Sequence, residues 1–401
     1  MNTQDRSSKW LAVALLWGVA LLNYLDRQVI FAQFPLIQRD LHATSLELGL
    51  ISSVFLWVYA ALSPFAGYIA DRWGHARVIF LSLLIWSAAT WMTAHVQSIE
   101  QMLFSRMLMG VSEAFYLPAA LALIVNRHGP ETRSLATGIH QSGLYTGSIL
   151  GGVGGGWMAQ HYGWRPTFTV LGIVGVIYGI VLLFALPRDR PQAPASLRIF
   201  PTLFRVSKAN GFLFLALAFG AISVANWLIY TWLPLFLVER FRLSLTNAGF
   251  TATFYVQVAS YAGMLLSGVL ADRLAARHPR ARVRIQMLGM AFSAPFLLLL
   301  SFTSSYSALV GILIGIGLLR PWFDVNAMPV LRNIVGAEFC ATGYGLLNMV
   351  GCLAGGLSAA MAGGIKDSLG LTAAYQLAAV VLILGAISLH WIPRPSSART
   401  E

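Results

Sequence analysis

Charge is the scarcest resource in this 401-residue sequence: 10% of its residues are Asp, Glu, Lys or Arg, against about 25% in an average soluble domain. So few charges cannot cover a water-facing surface, which excludes a soluble protein of this length. Cysteine is nearly absent as well. Cys340 and Cys352 are the two present, and they offer neither metal-ligand spacing nor a disulfide framework, so both are read as small packing residues. No Ser/His/Asp or Cys/His constellation, His-x-x-x-His pair or phosphate-cradling loop appears in the chain, and with no soluble catalytic domain an enzyme is not expected. Neither a metal nor an organic cofactor is expected.

Apolar sequence fills the space that charge leaves. Hydrophobic residues make up 57% of the chain, and they form twelve stretches of about 20 residues, the length that crosses a bilayer. The first, near 10–38, carries Asp26-Arg27 and is too long for a cleaved leader, so it is read as the first helix. The expectation is an all-α membrane protein with twelve transmembrane helices in two six-helix bundles, residues 1–186 and 211–401. A Pro- and Arg-rich cytoplasmic linker over 187–210 joins them.

The net charge of +12 is explained by where the cations fall. With the N-terminus inside, nineteen Lys and Arg lie in inside segments and five in outside loops, with three more in the spans. That bias is the positive-inside rule and places both termini in the cytoplasm. The basic balance is therefore topogenic, and nucleic acid is not expected as a partner. A bacterial inner-membrane location and a monomer are expected.

Gly67-x-x-x-Asp71-Arg72-x-Gly74-x-x-Arg77 lies between spans two and three, and Gly268-x-x-x-Asp272-Arg273-x-x-x-Arg277 between spans eight and nine, 201 residues later. A repeat at half the chain length marks a duplicated six-helix unit. The glycines permit close helix approach, and an Asp at a helix end beside a basic turn suits a gate whose ion pair forms in one conformation. The motif resembles the signature of the major facilitator superfamily, and the likeness extends over essentially the whole chain. It implies two bundles, a central path and alternating access, without naming a substrate.

Six ionisable residues fall inside the expected spans: Asp26 and Arg27 in helix one, Arg106 and Glu113 in helix four, Arg320 and Asp324 in helix ten. Each costs roughly 2.5–3.5 kcal/mol at mid-membrane, so they must face a cavity or one another, and intramembrane charges generally mark ion or substrate pathways. Arg106 and Glu113 are two turns apart on one face, about 10.5 Å along the axis. Arg320 and Asp324, at i and i+4, are expected to pair as a structural couple. Burial disfavours an ionised carboxyl while a neighbouring arginine favours it. The acids are thus expected to exchange protons, and a protonated cluster would attract an anion.

Asn23-Tyr24-Leu25-Asp26-Arg27, Arg106-x-x-x-Gly110-x-x-Glu113-Ala114-x-x-x-Pro118, Trp57-x-Tyr59-Ala60 and Ala341-Thr342-Gly343-x-Gly345-x-x-Asn348 resemble the anion:cation symporter branch, which includes sugar-acid permeases. That resemblance implies Asp26 and Glu113 as proton-linked acids, with the proton as coupling ion, and Arg27, Arg106 and Tyr59 as their partners or as contacts to a small organic anion. Arg320-Pro321-Trp322-x-Asp324 departs from the sugar-acid pattern. The helix-one and helix-four elements also look like Spinster-type lysolipid carriers, the alternative reading.

Among neutral polar residues, Gln141, Asn226 and Asn348 are candidate amide contacts and Tyr230 an aromatic one. Helix-to-helix hydrogen bonding is an equal alternative for the asparagines, Asn326 included. His140, near the start of helix five, is expected to be hydrated. Gly143, Gly147, Gly151 and Gly155 form a stripe that lets backbones approach, matched by Gly351 and Gly355 in helix eleven, and these are read as seams for rocking halves. Helix five lacks the Gly-Pro pair that marks drug:proton antiporters, which makes multidrug export the weaker reading.

Overall fold

A computed structural model describes residues 3–129, 132–186, 199–275, 277–336 and 339–393. In chain order the helices are α1 (Thr3–Val29), α2 (Phe34–Asp40), α3 (Ser45–Trp73), α4 (His75–Thr93), α5 (Ile99–Arg127), α6 (Arg133–Tyr162), α7 (Trp164–Ala185), α8 (Ile199–Ser207), α9 (Phe212–Phe241), α10 (Leu245–Ala275), α11 (Ala281–Phe302), α12 (Tyr306–Leu319), α13 (Pro321–Val335) and α14 (Cys340–Ser388). Among the described residues, ten helical segments are long and apolar enough to cross a membrane. One of them, Cys340–Trp391, breaks at Gly370, whose φ of 75° is left-handed, and so supplies two spans. The glycine-rich α6 completes the twelve.

Local sequence sets the boundaries. Thr44 and Glu47 close a reciprocal capping box at the start of α3, satisfying two otherwise orphaned backbone donors. Pro35 opens α2 after a short 3-10 turn, so the first span is bent rather than continuous. Pro321 has no backbone N–H to offer the preceding turn, and span ten divides there into α12 and α13. Of the linker expected over 187–210, residues 187–198 lie outside the described residues, and α8 occupies the following stretch.

Two compact units emerge: Met1–Ser196 with Pro234–Thr253, and Leu197–Leu233 with Phe254–Glu401. In the first, the helix-five stripe meets α1 in strict register. A Cβ at Gly143, Gly147 or Gly151 would strike the carbonyl oxygen of Trp17, Leu21 or Leu25, and one at Gly155 would meet Val29. In the second, Gly351 meets Phe219 and Ser223, and Gly355 meets Trp227, so α14 packs on α9. Both stripes are therefore seams inside a unit rather than sliding surfaces for rocking halves. Lipid-facing apolar side chains cover the outside, as on α7, where Phe184 is 82% exposed and Ile177 56%.

Candidate functional site

Four helices of the first unit converge on a buried charge cluster. Gly110 on α5 sits against the Phe55 carbonyl of α3, where a side chain would collide, and this close approach brings α3 rings over the end of the Arg27 side chain. The Arg27 guanidinium carbon lies 5.0, 4.9 and 5.0 Å from the ring centres of Tyr24, Phe55 and Tyr59. Its Nε donates to Glu113 Oε2 at 2.5 Å, with Glu113 fully buried and the Arg27 side chain 11% exposed. Three aromatic faces and one carboxylate thus replace the water that the cation has lost.

Asp26 and Arg106 complete the cluster. Both are buried, and the electrostatic neighbours of Arg106 are Glu113, Asp26 and Arg27. Arg106 Nη2 also meets Met109 Sδ at 2.5 Å. Asp26 Oδ2 accepts from Thr90 Oγ1 of α4 at 3.3 Å, while its Oδ1 has no hydrogen-bond partner. A carboxyl with one weak donor and no ion pair within bonding distance is chemically suited to hold a proton. The structure therefore brings Asp26, Arg27, Tyr59, Arg106 and Glu113 together, as their positions in sequence imply.

The second unit builds a different site. Arg320, buried where α12 gives way to α13, donates from Nη1 to Tyr230 Oη on α9 at 2.8 Å. Gln257 on α10 donates to the same oxygen at 3.2 Å, and Trp227 stands edge-on to the Tyr230 ring at 5.8 Å. Asn226 lines a small cavity with Arg320, Ser293 and Ile316, and its Oδ1 has no hydrogen-bond partner. Of the expected Arg320–Asp324 couple, the electrostatic contact is present while the hydrogen bond is not: Asp324 has Arg320 as its charge neighbour, and Arg320 donates across the bundle to Tyr230. Gln257 is not among the amides named from sequence, because nothing along the chain shows that it faces Tyr230 on another helix.

Asn326 bridges helices, donating to Ser267 Oγ and accepting from Arg282. Gln141 and Asn348 are half-buried. His140 is not hydrated: it is fully buried, with Nε2 2.9 Å from Tyr116 Oη, which itself donates to the Leu16 carbonyl at 3.1 Å. The phenol hydrogen is thereby committed, so the imidazole Nε2–H is the donor. In the loop motif, Gly67 and the Asp71 side chain lie outside the described residues, and Arg72, Arg77 and Arg273 are exposed. Gly268 has loose surroundings, its nearest neighbour being Val325. Asp272 pairs with Arg282 at 2.6 Å, a partner the sequence reading missed.

A sequence profile describing the Major Facilitator Superfamily matches residues 16–359. The chain belongs to the Major Facilitator Superfamily. It is accordingly a membrane transporter and not an enzyme. It is 25% identical over 395 residues to the probable galactarate/D-glucarate transporter GarP of Escherichia coli, covering 88% of each chain. It is 26% identical to the hexuronate transporter of Bacillus subtilis, covering 96% of this chain and 94% of that one. An MFS-type efflux pump of Mycolicibacterium smegmatis is 30% identical over 68% of this chain and 64% of the pump. Among solved structures, a bacterial homologue of the human lysosomal transporter Spinster, inward-facing and occupied, superposes with a TM-score of 0.82 at 18% identity over 98% of both chains, which is a likeness of fold.

Proposed function

We propose that this transporter takes up a small organic anion, of the sugar-acid or carboxylate class, together with protons. The observation that carries the reading is the buried Asp26, Arg27, Arg106 and Glu113 cluster. With both acids ionised the four groups sum to zero, and each proton bound adds one positive charge in a place where water cannot screen it. Proton uptake and anion affinity are then linked through the same charges. Asp26 and Glu113 are assigned as the proton carriers, and Arg106 and Arg27, with Tyr59 beside them, as the groups that respond to the anion. In the second unit Arg320, Tyr230 and Asn226 supply donors for carboxylate or hydroxyl oxygens, with Gln141 and Asn348 as further amide contacts. The Asp272–Arg282 pair is assigned to gating along with the Gly67–Arg77 loop motif. Both termini are assigned to the cytoplasmic side of a bacterial inner membrane.

The GarP and hexuronate relatives support the anion class. Purified protein in liposomes provides the test. Uptake of hexuronates or aldarates is expected to rise with an inward proton gradient, and an Asp26→Asn variant is expected to bind ligand but lose the stimulation. Equal uptake with and without the gradient in the parent protein would sink the coupling. Export, favoured by the likeness to the mycobacterial efflux pump, would instead show as net outward flux of the carried solute, and lysolipid transport as binding of lysolipids in preference to sugar acids.

A further inference from the structure

The nine residues of α8 present a face that water does not explain. Phe200 and Phe204, 73% and 65% exposed, stand four residues apart and so share one side of the helix. On the other side Val206 is buried, where α8 rests on α14. Burial of a phenylalanine ring is favourable in proportion to the apolar area removed from water, so two rings held outward on so short a helix imply an apolar medium beside it. Cations flank the rings: Lys208 Nζ lies 5.2 Å from the Phe204 ring centre, and the Arg205 guanidinium 4.7 Å from that of Phe339.

The position of α8 says which medium this is. At the α8–α9 corner, Gly211 takes a φ of 95° and abuts Pro393 and Ile334, where the last span and α13 both end. The Ile392 carbonyl there accepts from Arg280 Nη2 at 2.7 Å, at the start of α11. Starts and ends of spans thus meet around α8, which is the level of the membrane–water boundary. Exposed Arg277 and Arg332 add to the cations at this end, and the acid Asp272 is already ion-paired to Arg282.

We propose that α8 lies in the headgroup layer of the bilayer, with Phe200 and Phe204 sunk among acyl chains and Arg205 and Lys208 holding anionic phospholipid headgroups. A short amphipathic helix lying in the interface plane is a recognised mode of membrane attachment, and each cation near an anionic surface contributes about 1 kcal/mol. The consequence is a tether that fixes the second unit at the leaflet surface. The proposal does not depend on which solute is carried.

The test places the photoreactive residue p-benzoylphenylalanine at position 204, and at position 184 as a lipid-facing control, in full-length protein reconstituted into nanodiscs. The discs contain phosphatidylcholine with or without 30 mol% (about a third) phosphatidylglycerol. Crosslinks to phospholipid at both positions are expected, with the yield to phosphatidylglycerol at 204 falling about fivefold in an Arg205→Gln variant and falling again with added salt. Lipid crosslinks at 184 with none at 204 would overturn the proposal, as would crosslinks from 204 to protein alone. Equal yields to the two lipids at 204 would overturn the anionic preference. Nanodiscs expose both faces of the bilayer, so a reversed topology would leave these outcomes unchanged.

Discussion

The two units each bury an arginine in the middle of a span, and they neutralise it by different means. In the first, Arg27 is bonded to the ionisable Glu113 and capped by three aromatic rings. In the second, Arg320 donates to the neutral phenol of Tyr230, whose ring centre is 5.5 Å away. A carboxylate partner can take or release a proton and so alter the charge of its cluster, whereas a phenol oxygen holds an arginine in place as a hydrogen-bond acceptor without adding a formal charge. The first arrangement suits coupling and the second suits steady recognition of an anion.

Removing each arginine breaks this comparison most sharply. Arg27→Ala leaves Glu113 buried without its cation and should destabilise the protein by about 3–5 kcal/mol, seen as a large drop in thermal unfolding temperature in detergent. Arg27→Ala with Glu113→Gln, which removes both members of that ion pair and leaves neither stranded, should recover most of that loss. Arg320→Ala strands a hydroxyl and an amide and takes the cation from Asp324, whose side chain is exposed, so its cost should stay within about 1–3 kcal/mol. Equal losses for the two single variants would show that the carboxylate–phenol distinction has no energetic content.

Tyr230→Phe sharpens the same contrast from the other side. It deletes the oxygen that accepts from Arg320 and Gln257 while keeping the ring. Hydrogen bonds to charged groups are worth about 1.5–3 kcal/mol, so ligand affinity measured by calorimetry should weaken by roughly tenfold or more, with the dependence of uptake on the proton gradient intact. Loss of that dependence would place coupling in the second unit.

The glycine seams differ in what faces them. Gly147 on α6 meets the Leu21 carbonyl, which is backbone, whereas Gly351 on α14 meets the side chains of Phe219 and Ser223. An added methyl at the first site forces α6 and α1 apart, while at the second a ring can turn aside. Gly147→Ala should therefore cost about 1–3 kcal/mol and Gly351→Ala distinctly less, as read from unfolding temperatures. The reverse order would mean that the second seam is the less compliant.

Much of this was legible because the bilayer imposes simple rules. The spans follow from hydropathy, and Arg27 with Glu113 stood out because lipid forbids isolated charge. The glycine stripe declared a close approach, but periodicity along one helix cannot name the helix opposite, so α1 had to come from the structure. The hydrogen-bond partners of Arg320 and His140 are not legible in the sequence for a related reason. Spacing reveals neighbours on the same helix, whereas Tyr230 and Tyr116 reach these side chains from other helices. A position near a helix end likewise suggested hydration for His140, which packing around Tyr116 and the Leu16 carbonyl removes.

The smallest stability effects belong to the ion pairs at the surface, where the units can be compared once more. In the first, Asp40 pairs with Arg165, the two side chains being 44% and 38% exposed, and it also accepts from Trp164 Nε1 at 3.0 Å. In the second, Asp272 is 73% exposed and holds Arg282, which reaches onward to Asn326. Exposed pairs contribute about 0–1 kcal/mol, so Asp40→Asn and Asp272→Asn should each shift the unfolding temperature little. Their transport phenotypes should diverge. Asp40 staples α2 to α7 within one unit and its loss should leave uptake rates near those of the parent, whereas Asp272 sits in the repeated loop motif assigned to gating and its loss should slow uptake at saturating substrate. An Asp272→Asn variant as fast as the parent would reduce that pair to an ordinary surface contact and move the gate elsewhere.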